Sequence, residues 1–190
     1  MHRHFKIYKP FGYLSQFISN QRTRRNKKFL GELGNFPEGT MSIGRLDEDS
    51  EGLLLLTTNG KVSTKITGEK VEKEYYVQVD GNIDNRAVQN LENGVEISIY
   101  GEKYLTKPCK ARLLASPPDF PPRAKKIRDD RHGPTSWISI TLTEGKFRQV
   151  KKMTAAVGFP TRRLLRVRIG NELLEGMNAG EVREIEKFNL

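Results

Sequence analysis

Four consecutive leucines, Leu53 to Leu56, closed by Thr57-Thr58-Asn59-Gly60, constrain the fold more than any other stretch of the chain. An apolar run this short and this continuous fits a strand buried on both faces, and Asn59-Gly60 after it reads as a turn. The polar segment before the run must then be a loop feeding a core strand. That loop, Gly44 to Gly52, crowds the four acids Asp47, Glu48, Asp49 and Glu51 into five positions beside Arg45. An acid-rich loop of this kind is ordinarily a solvated turn or a helix cap, and spacing alone does not separate that reading from a catalytic one.

The remaining patterns describe an α+β chain. Phe5 to Tyr8 predicts a short strand stopped before Lys9-Pro10 and a Pro-Phe-Gly turn. Glu74 to Val79 alternates, with Tyr75, Val77 and Val79 on one face. Asp84 is placed to cap a helix carrying Ala87, Val88 and Leu91, which Gly94 ends, and a strand from Val95 to Ile99 follows. Pro117, Pro118, Pro121 and Pro122 and the basic stretch Arg123 to Arg131 predict an extended connection. Trp137 to Leu142 alternates again. Past Gly145, Phe147, Val150, Met153 and Val157 recur at helical spacing. Arg163 to Ile169 reads as a strand with alternating basic residues, and Glu181 to Ile185 as a last, edge strand.

The chain has 190 residues, enough for a self-sufficient core, and 33 Lys plus Arg against 23 Asp plus Glu give a net charge of +10. That surplus favours polyanions over acidic proteins or neutral metabolites. Cys109 is the single cysteine, which excludes an intrachain disulfide and a cysteine-based metal cluster and fits a reducing cytoplasm. His2, His4 and His132 lack ligand spacing, so no metal is expected. No segment resembles a signal-peptide core or a membrane span. Five of the seven residues from Arg22 to Lys28 are basic, which fits a solvated loop and an RNA-contacting loop equally well.

Gly44-Arg45-Leu46-Asp47, then Asp49-Ser50, then Gly52 through Thr57, resembles the signature of pseudouridine synthases of the RsuA-like group. Two further blocks follow in that group's order: Lys73-Glu74-Tyr75-Tyr76-Val77, and Glu144-Gly145-Lys146-Phe147-Arg148-Gln149-Val150-Lys151-Lys152-Met153. Ala156 to Pro160 and Arg163 to Gly170 continue the likeness across nearly the whole chain. Lys9-Pro10-Phe11-Gly12 and Pro134-Thr135-Ser136-Trp137 are similar to one branch that acts on large-subunit rRNA. Arg148 stands where more distant families have His, and Lys151 where they have Arg. Only 43 residues precede Gly44, so the S4 RNA-binding domain that many members carry is not expected.

The resemblance implies a single catalytic domain over residues 1–190, built on a mostly antiparallel mixed sheet, with two packed α+β halves around the active-site cleft. It implies a uridine flipped into a pocket, with Asp47 as nucleophile, Tyr75 stacking on the base and Lys151 keeping the carboxylate ionised. The Asp47 assignment is the same whether that group attacks the ribose, attacks the base or first removes a ribose proton. Arg45, Arg148, Gln149, Leu164 and Arg166 are the substrate-binding candidates. Without the motif, Tyr75 and Leu164 would read as core and Lys151 as a solvated helix lysine. Arg22, Arg24, Arg25, Lys27, Lys28, Lys125 and Lys126, with the groups Arg123 to Arg131 and Arg162 to Arg168, are the phosphate-contacting candidates. The implied partner is 23S rRNA at its peptidyl-transferase region, with no cofactor, no membrane, no obligate protein partner and a monomeric chain. The rival readings are a non-catalytic rRNA-binding assembly factor, a synthase acting on 16S rRNA, and a glycosidase using the paired acids.

Overall fold

The computed structural model describes residues 1–18, 26–68, 70–127 and 129–190. Its strands and helices, in chain order, are β1 (His4–Lys9), β2 (Tyr13–Leu14), β3 (Lys28–Phe29), β4 (Met41–Ile43), β5 (Glu51–Thr57), α1 (Gly60–Thr67) and β6 (Lys73–Asp80). There follow α2 (Asn85–Asn93), β7 (Glu96–Ile99), β8 (Glu102–Leu105), β9 (Lys110–Leu113), β10 (Thr135–Leu142), α3 (Gln149–Ala156), β11 (Thr161–Ile169), β12 (Glu172–Leu173) and β13 (Val182–Ile185). Among the described residues a nine-stranded sheet runs in the order β13-β1-β5-β11-β6-β10-β9, with β4 paired to β5 and β12 to β11. Its one parallel contact joins β5 to β11, so the sheet is mixed and mostly antiparallel, and the α+β class stands.

The leucine run sits at the centre of that sheet. Leu53 and Leu55 pack into one core with Trp137, Leu165 and Val167. Leu54 and Leu56 pack on the opposite face with Phe5, Ile7 and Leu30. All four are fully buried, at roughly 1.5–3 kcal/mol each relative to exposure, which is why no polar residue interrupts the run. A third core joins Val77, Val79, Ile138 and Ile140 of the sheet to Leu91 of α2 and Met153 of α3.

Gly52 opens β5 with φ +108°, and a Cβ there would lie 2.3 Å from the Arg166 carbonyl oxygen and 2.7 Å from its nitrogen. Only glycine allows the β5 and β11 backbones to approach this closely.

Several local expectations are met. Strand β6 alternates as read, with Tyr75, Val77 and Val79 buried. The Asp84 carboxylate accepts from the Ala87 amide at 2.8 Å and caps α2, and Gly94 ends it with φ +97°. Two others are corrected. Asn59 does not make a hairpin turn; its Oδ1 accepts from the Lys61 amide and caps α1, whose Val62 and Ile66 lie one helical turn apart against the leucine core. Phe147 is outside α3, which begins at Gln149. The strand expected from Val95 to Ile99 is present as β7, and among the described residues it pairs with β8 in a separate two-stranded ribbon.

Candidate functional site

Asp47 lies in a loop whose backbone is pinned on both sides. The buried Ser15 hydroxyl donates to the Leu46 carbonyl at 2.6 Å and accepts from the Leu46 amide at 2.9 Å. The Ser50 amide donates to the Asp47 carbonyl at 3.0 Å, and the Gly12 amide reaches the Glu48 carbonyl at 2.8 Å. A carboxylate on a loop so tied cannot wander, which is what a reactive group needs.

Across from it stands α3. Lys151 Nζ donates to Asp47 Oδ2 at 3.1 Å and to Asp49 Oδ1 at 2.6 Å. Arg148 Nη1 donates to Asp47 Oδ2 at 3.2 Å and to Asp49 Oδ1 at 3.3 Å. Both cations therefore meet one oxygen of Asp47, and among the described residues no donor reaches Oδ1. Burial opposes charge on Asp49, but the hydrogen bonds and charges of Lys151 and Arg148 outweigh it and hold its carboxyl below the ordinary carboxylate range.

Arg148 adopts φ +51°, a left-handed conformation that is unfavourable for a non-glycine residue and recurs at functional sites. Its surroundings hold it there. The Lys146 amide donates to Gln149 Oε1 at 3.1 Å, and Gln149 Nε2 donates to Glu144 Oε2 at 2.8 Å. Glu144, buried, also receives the Tyr104 hydroxyl and, at 2.9 Å, the Lys107 amide.

The four acids that the sequence presents as a cluster thus have four different situations. Asp47 lines a cleft between its own loop and α3. Asp49 shares its cations from outside it. Glu48 takes the Lys27 ammonium at 2.6 Å. Glu51 is buried against Arg163, whose Nε and Nη2 donate to its two oxygens at 2.9 and 2.8 Å.

The cleft holds about 180 Å³, and Asp47, Tyr75, Lys151, Arg45, Arg148, Gln149, Leu164 and Arg166 all line it. Tyr75 stands on β6 directly across from Arg166 of β11, and its hydroxyl makes no hydrogen bond among the described residues. Leu164 belongs to the adjoining core. Arg45 Nη2 donates to Gln16 Oε1 at 3.0 Å. Arg166 is nearly inaccessible; its Nε donates to the Leu53 carbonyl at 2.8 Å, and its Nη2 is buried with no partner among the described residues.

The reading of Arg162 to Arg168 as a phosphate-contacting group is corrected. Arg163 and Arg166 are buried, Arg168 donates to Glu72 and Glu74, both at 3.1 Å, and Arg162 pairs with Asp80 at 2.6 Å. These side chains brace the sheet. Lys27 is turned back onto Glu48, and Lys28 is exposed with its ammonium 5.5 Å from the Tyr13 ring centroid. Lys125 and Lys126 are exposed and make no ion pair among the described residues. Arg22, Arg24 and Arg25 lie outside the described residues.

Lys9 carries more than its sequence pattern indicated. It is fully buried, and Nζ donates to the Pro10 and Tyr13 carbonyls at 3.0 and 2.7 Å. Burial pulls its pKa down to about 7 against the opposing charges of Glu51, Asp47 and Asp49. The lysine before Pro10 looked like a strand terminus; only the packing shows that it sits within the field of the acidic loop.

The arrangement offers a carboxylate oxygen in a cleft walled by an aromatic ring, an aliphatic side chain and cations, a setting for a flat polar ring on an anionic strand. Comparison with known proteins agrees. The family model for RNA pseudouridylate synthase matches residues 3–156. The chain is 41% identical, over 92% of its length and 91% of the relative's, to ribosomal large subunit pseudouridine synthase E of Xanthomonas campestris pv. campestris. It is 32% identical, over 96% of its length and 67% of the relative's, to ribosomal large subunit pseudouridine synthase B of Bacillus subtilis. A crystal structure of a pseudouridylate synthase superposes with a TM-score of 0.74 at 30% identity, covering 97% of this chain and 70% of that one. With sequence and architecture in agreement over most of its length, the chain belongs to the RNA pseudouridylate synthase family.

Proposed function

We propose that this synthase isomerises one uridine of 23S rRNA to pseudouridine, with Asp47 as the nucleophile. The observation that carries the assignment of Asp47 is its position: of the four clustered acids it alone lines the cleft, with Lys151 and Arg148 on one oxygen and the other oxygen unengaged. In the net reaction the N1–C1′ bond breaks, C5–C1′ forms, and the hydrogen on C5 is exchanged for one on N1. No redox step or cofactor is required. Asp47 serves whether it attacks the sugar, attacks the base or first takes a ribose proton. Lys151 and Arg148 fix the carboxylate, Tyr75 stacks on the flipped ring and Leu164 packs beneath it. Arg45 holds the loop, Gln149 sets the α3 entry, and Arg166 braces the cleft wall through its hydrogen bond to the Leu53 carbonyl. Lys28, Lys125 and Lys126 contact phosphates.

The large-subunit substrate rests on the named relatives; a cytoplasmic, monomeric enzyme is the matching setting. Asp47→Asn keeps the side chain's shape, so it should abolish pseudouridine formation while leaving the fold and the affinity for RNA nearly intact. Mapping of pseudouridines after incubation with protein-free 23S and 16S rRNA tests both parts. Asp47→Asn activity within about tenfold of wild type would remove the nucleophile, since losing such a group costs orders of magnitude. Modification confined to 16S rRNA or tRNA would remove the large-subunit assignment.

A further inference from the structure

We propose that Tyr100 and Phe147 form a stacking platform for an unpaired RNA base flanking the uridine held in the cleft. The inference rests on the RNA substrate argued above and adds a second contact outside the cleft.

Neither ring has a structural reason to be where it is. Tyr100 is 83% exposed and Phe147 50% exposed, so neither contributes much to a core. Their rings lie 5.6 Å apart and 15° from parallel, a stack with Tyr100 as the more exposed, outer member. Tyr100 occupies the two-residue loop between β7 and β8, with φ +50° followed by Gly101 at φ +89°. Positive φ at both positions is the type I′ pattern, which favours Asn, Asp or Gly at the first of them. A tyrosine there strains the turn for the sake of a ring displayed at its tip.

The platform is linked to the helix that carries a cation paired with Asp47. Lys152 of α3 donates to the Ser98 carbonyl of β7 at 2.6 Å, which ties the hairpin to the helix that carries Lys151. Phe147 immediately precedes Arg148, which holds Asp47. One ammonium group borders the stack: Lys152 Nζ lies 5.2 Å from the Phe147 centroid. An exposed aromatic face beside a cation suits a base with a phosphate next to it. An apolar protein surface would leave the Lys152 ammonium unmatched, and the chain's +10 charge argues the same way. A uridine flipped into the cleft leaves its neighbours unstacked, and the open face of Tyr100 replaces the lost stacking for one of them.

The test measures equilibrium binding of wild-type, Tyr100→Asn and Tyr100→Trp proteins to transcribed 23S rRNA at fixed salt, with single-turnover rates at saturating protein and thermal unfolding. Asparagine suits the strained turn better than tyrosine, so Tyr100→Asn should unfold no earlier than wild type. Its Kd should nevertheless rise by about 5- to 150-fold, the range for loss of one base–aromatic stack, with the saturated rate nearly unchanged. Tyr100→Trp should retain wild-type affinity. Overturning results are an unchanged Kd for Tyr100→Asn, or an equal loss for Tyr100→Trp. If wild-type protein modifies 23S rRNA and Tyr100→Asn binds as tightly, the platform alone fails; if wild-type protein neither binds nor modifies 23S rRNA, the substrate reading fails with it.

Discussion

Glu51 and Arg163 offer a measurable account of what holds the site together. The pair joins the start of β5 to β11, which carries Leu164 and Arg166, and the side chains are 3% and 8% exposed. Two parallel hydrogen bonds connect them, and Arg163 Nη2 also reaches the Pro121 carbonyl at 2.6 Å. Replacing one partner leaves the other's charge buried without compensation, at a cost of about 3–5 kcal/mol. That is a large share of the roughly 5–15 kcal/mol that stabilises an ordinary domain. With a urea m-value of about 2–3 kcal/mol per molar, Glu51→Gln or Arg163→Met should lower the unfolding midpoint by roughly 1–2.5 M. The double variant Glu51→Leu/Arg163→Met removes both charges and should recover most of the loss, apart from about 1 kcal/mol for the stranded Pro121 carbonyl. Urea unfolding followed by circular dichroism supplies the full cycle. Single variants within about 1 kcal/mol of wild type, or a double variant equal to the sum of the singles, would refute the reasoning, because either outcome means that the charges are effectively solvated.

Two further perturbations probe the same region. Gly52→Ala should destabilise the fold and abolish activity, because its Cβ would meet the Arg166 backbone at 2.3 Å, whereas Gly60→Ala, with no heavy atom within 4 Å of the added Cβ, should be neutral or slightly stabilising; equal melting temperatures for the two variants would contradict the close approach. For Lys9, whose folded pKa is lowered to about 7, the unfolded chain binds the extra proton between pH 7 and the ordinary lysine range, so this group makes stability rise with pH across that window. Lys9→Met should flatten the rise, by at most about 1.4 kcal/mol per pH unit, and identical slopes in wild type and variant between pH 7 and 9 would show that Lys9 titrates normally.

What could be read from the sequence was what local periodicity encodes. β6 has one fully buried and one half-buried polar face, and α2 one buried and one open face, so their patterns name their inward residues. The leucine run announces a strand covered on both sides. In β10 the apparent alternation of Trp137 to Leu142 misleads, because Ser139 and Thr141 are buried as well; a central strand has no solvent face, and Ser139 is satisfied there by Glu74 at 2.8 Å. Helix α1 was hidden by Asn59-Gly60, a pair that can turn a hairpin or cap a helix, and the choice is made by Val62 and Ile66 finding the core. Strands β8 and β9 were not foreseen because each buries at most one side chain and leaves no apolar rhythm. The sheet order could not be seen at all: β5 and β11 are adjacent through a glycine and an arginine more than a hundred positions apart. At the site, the motif picked out residues that do line one cleft, but not which acid takes which cation, since that depends on strands brought together only by folding.

The basic residues of β11 show why charge in a sequence is ambiguous. Arg162, Arg163 and Arg168 each meet acids from β5, β6 or the turn before β6, so their positive charge is balanced inside the structure. Asp47 and Asp49 balance Lys151 and Arg148 in the same way. Balanced pairs leave the +10 surplus to be carried elsewhere, on exposed cations such as Lys28, Lys125, Lys126 and Lys146. The two populations obey different electrostatics. Exposed charges act on a polyanion over a Debye length of about 8–10 Å and weaken with salt, whereas partly buried pairs are screened much less. Affinity for RNA can therefore vary independently of the geometry around Asp47: a substitution of an exposed loop cation alters how tightly the strand is held without touching the paired groups that fix the carboxylate.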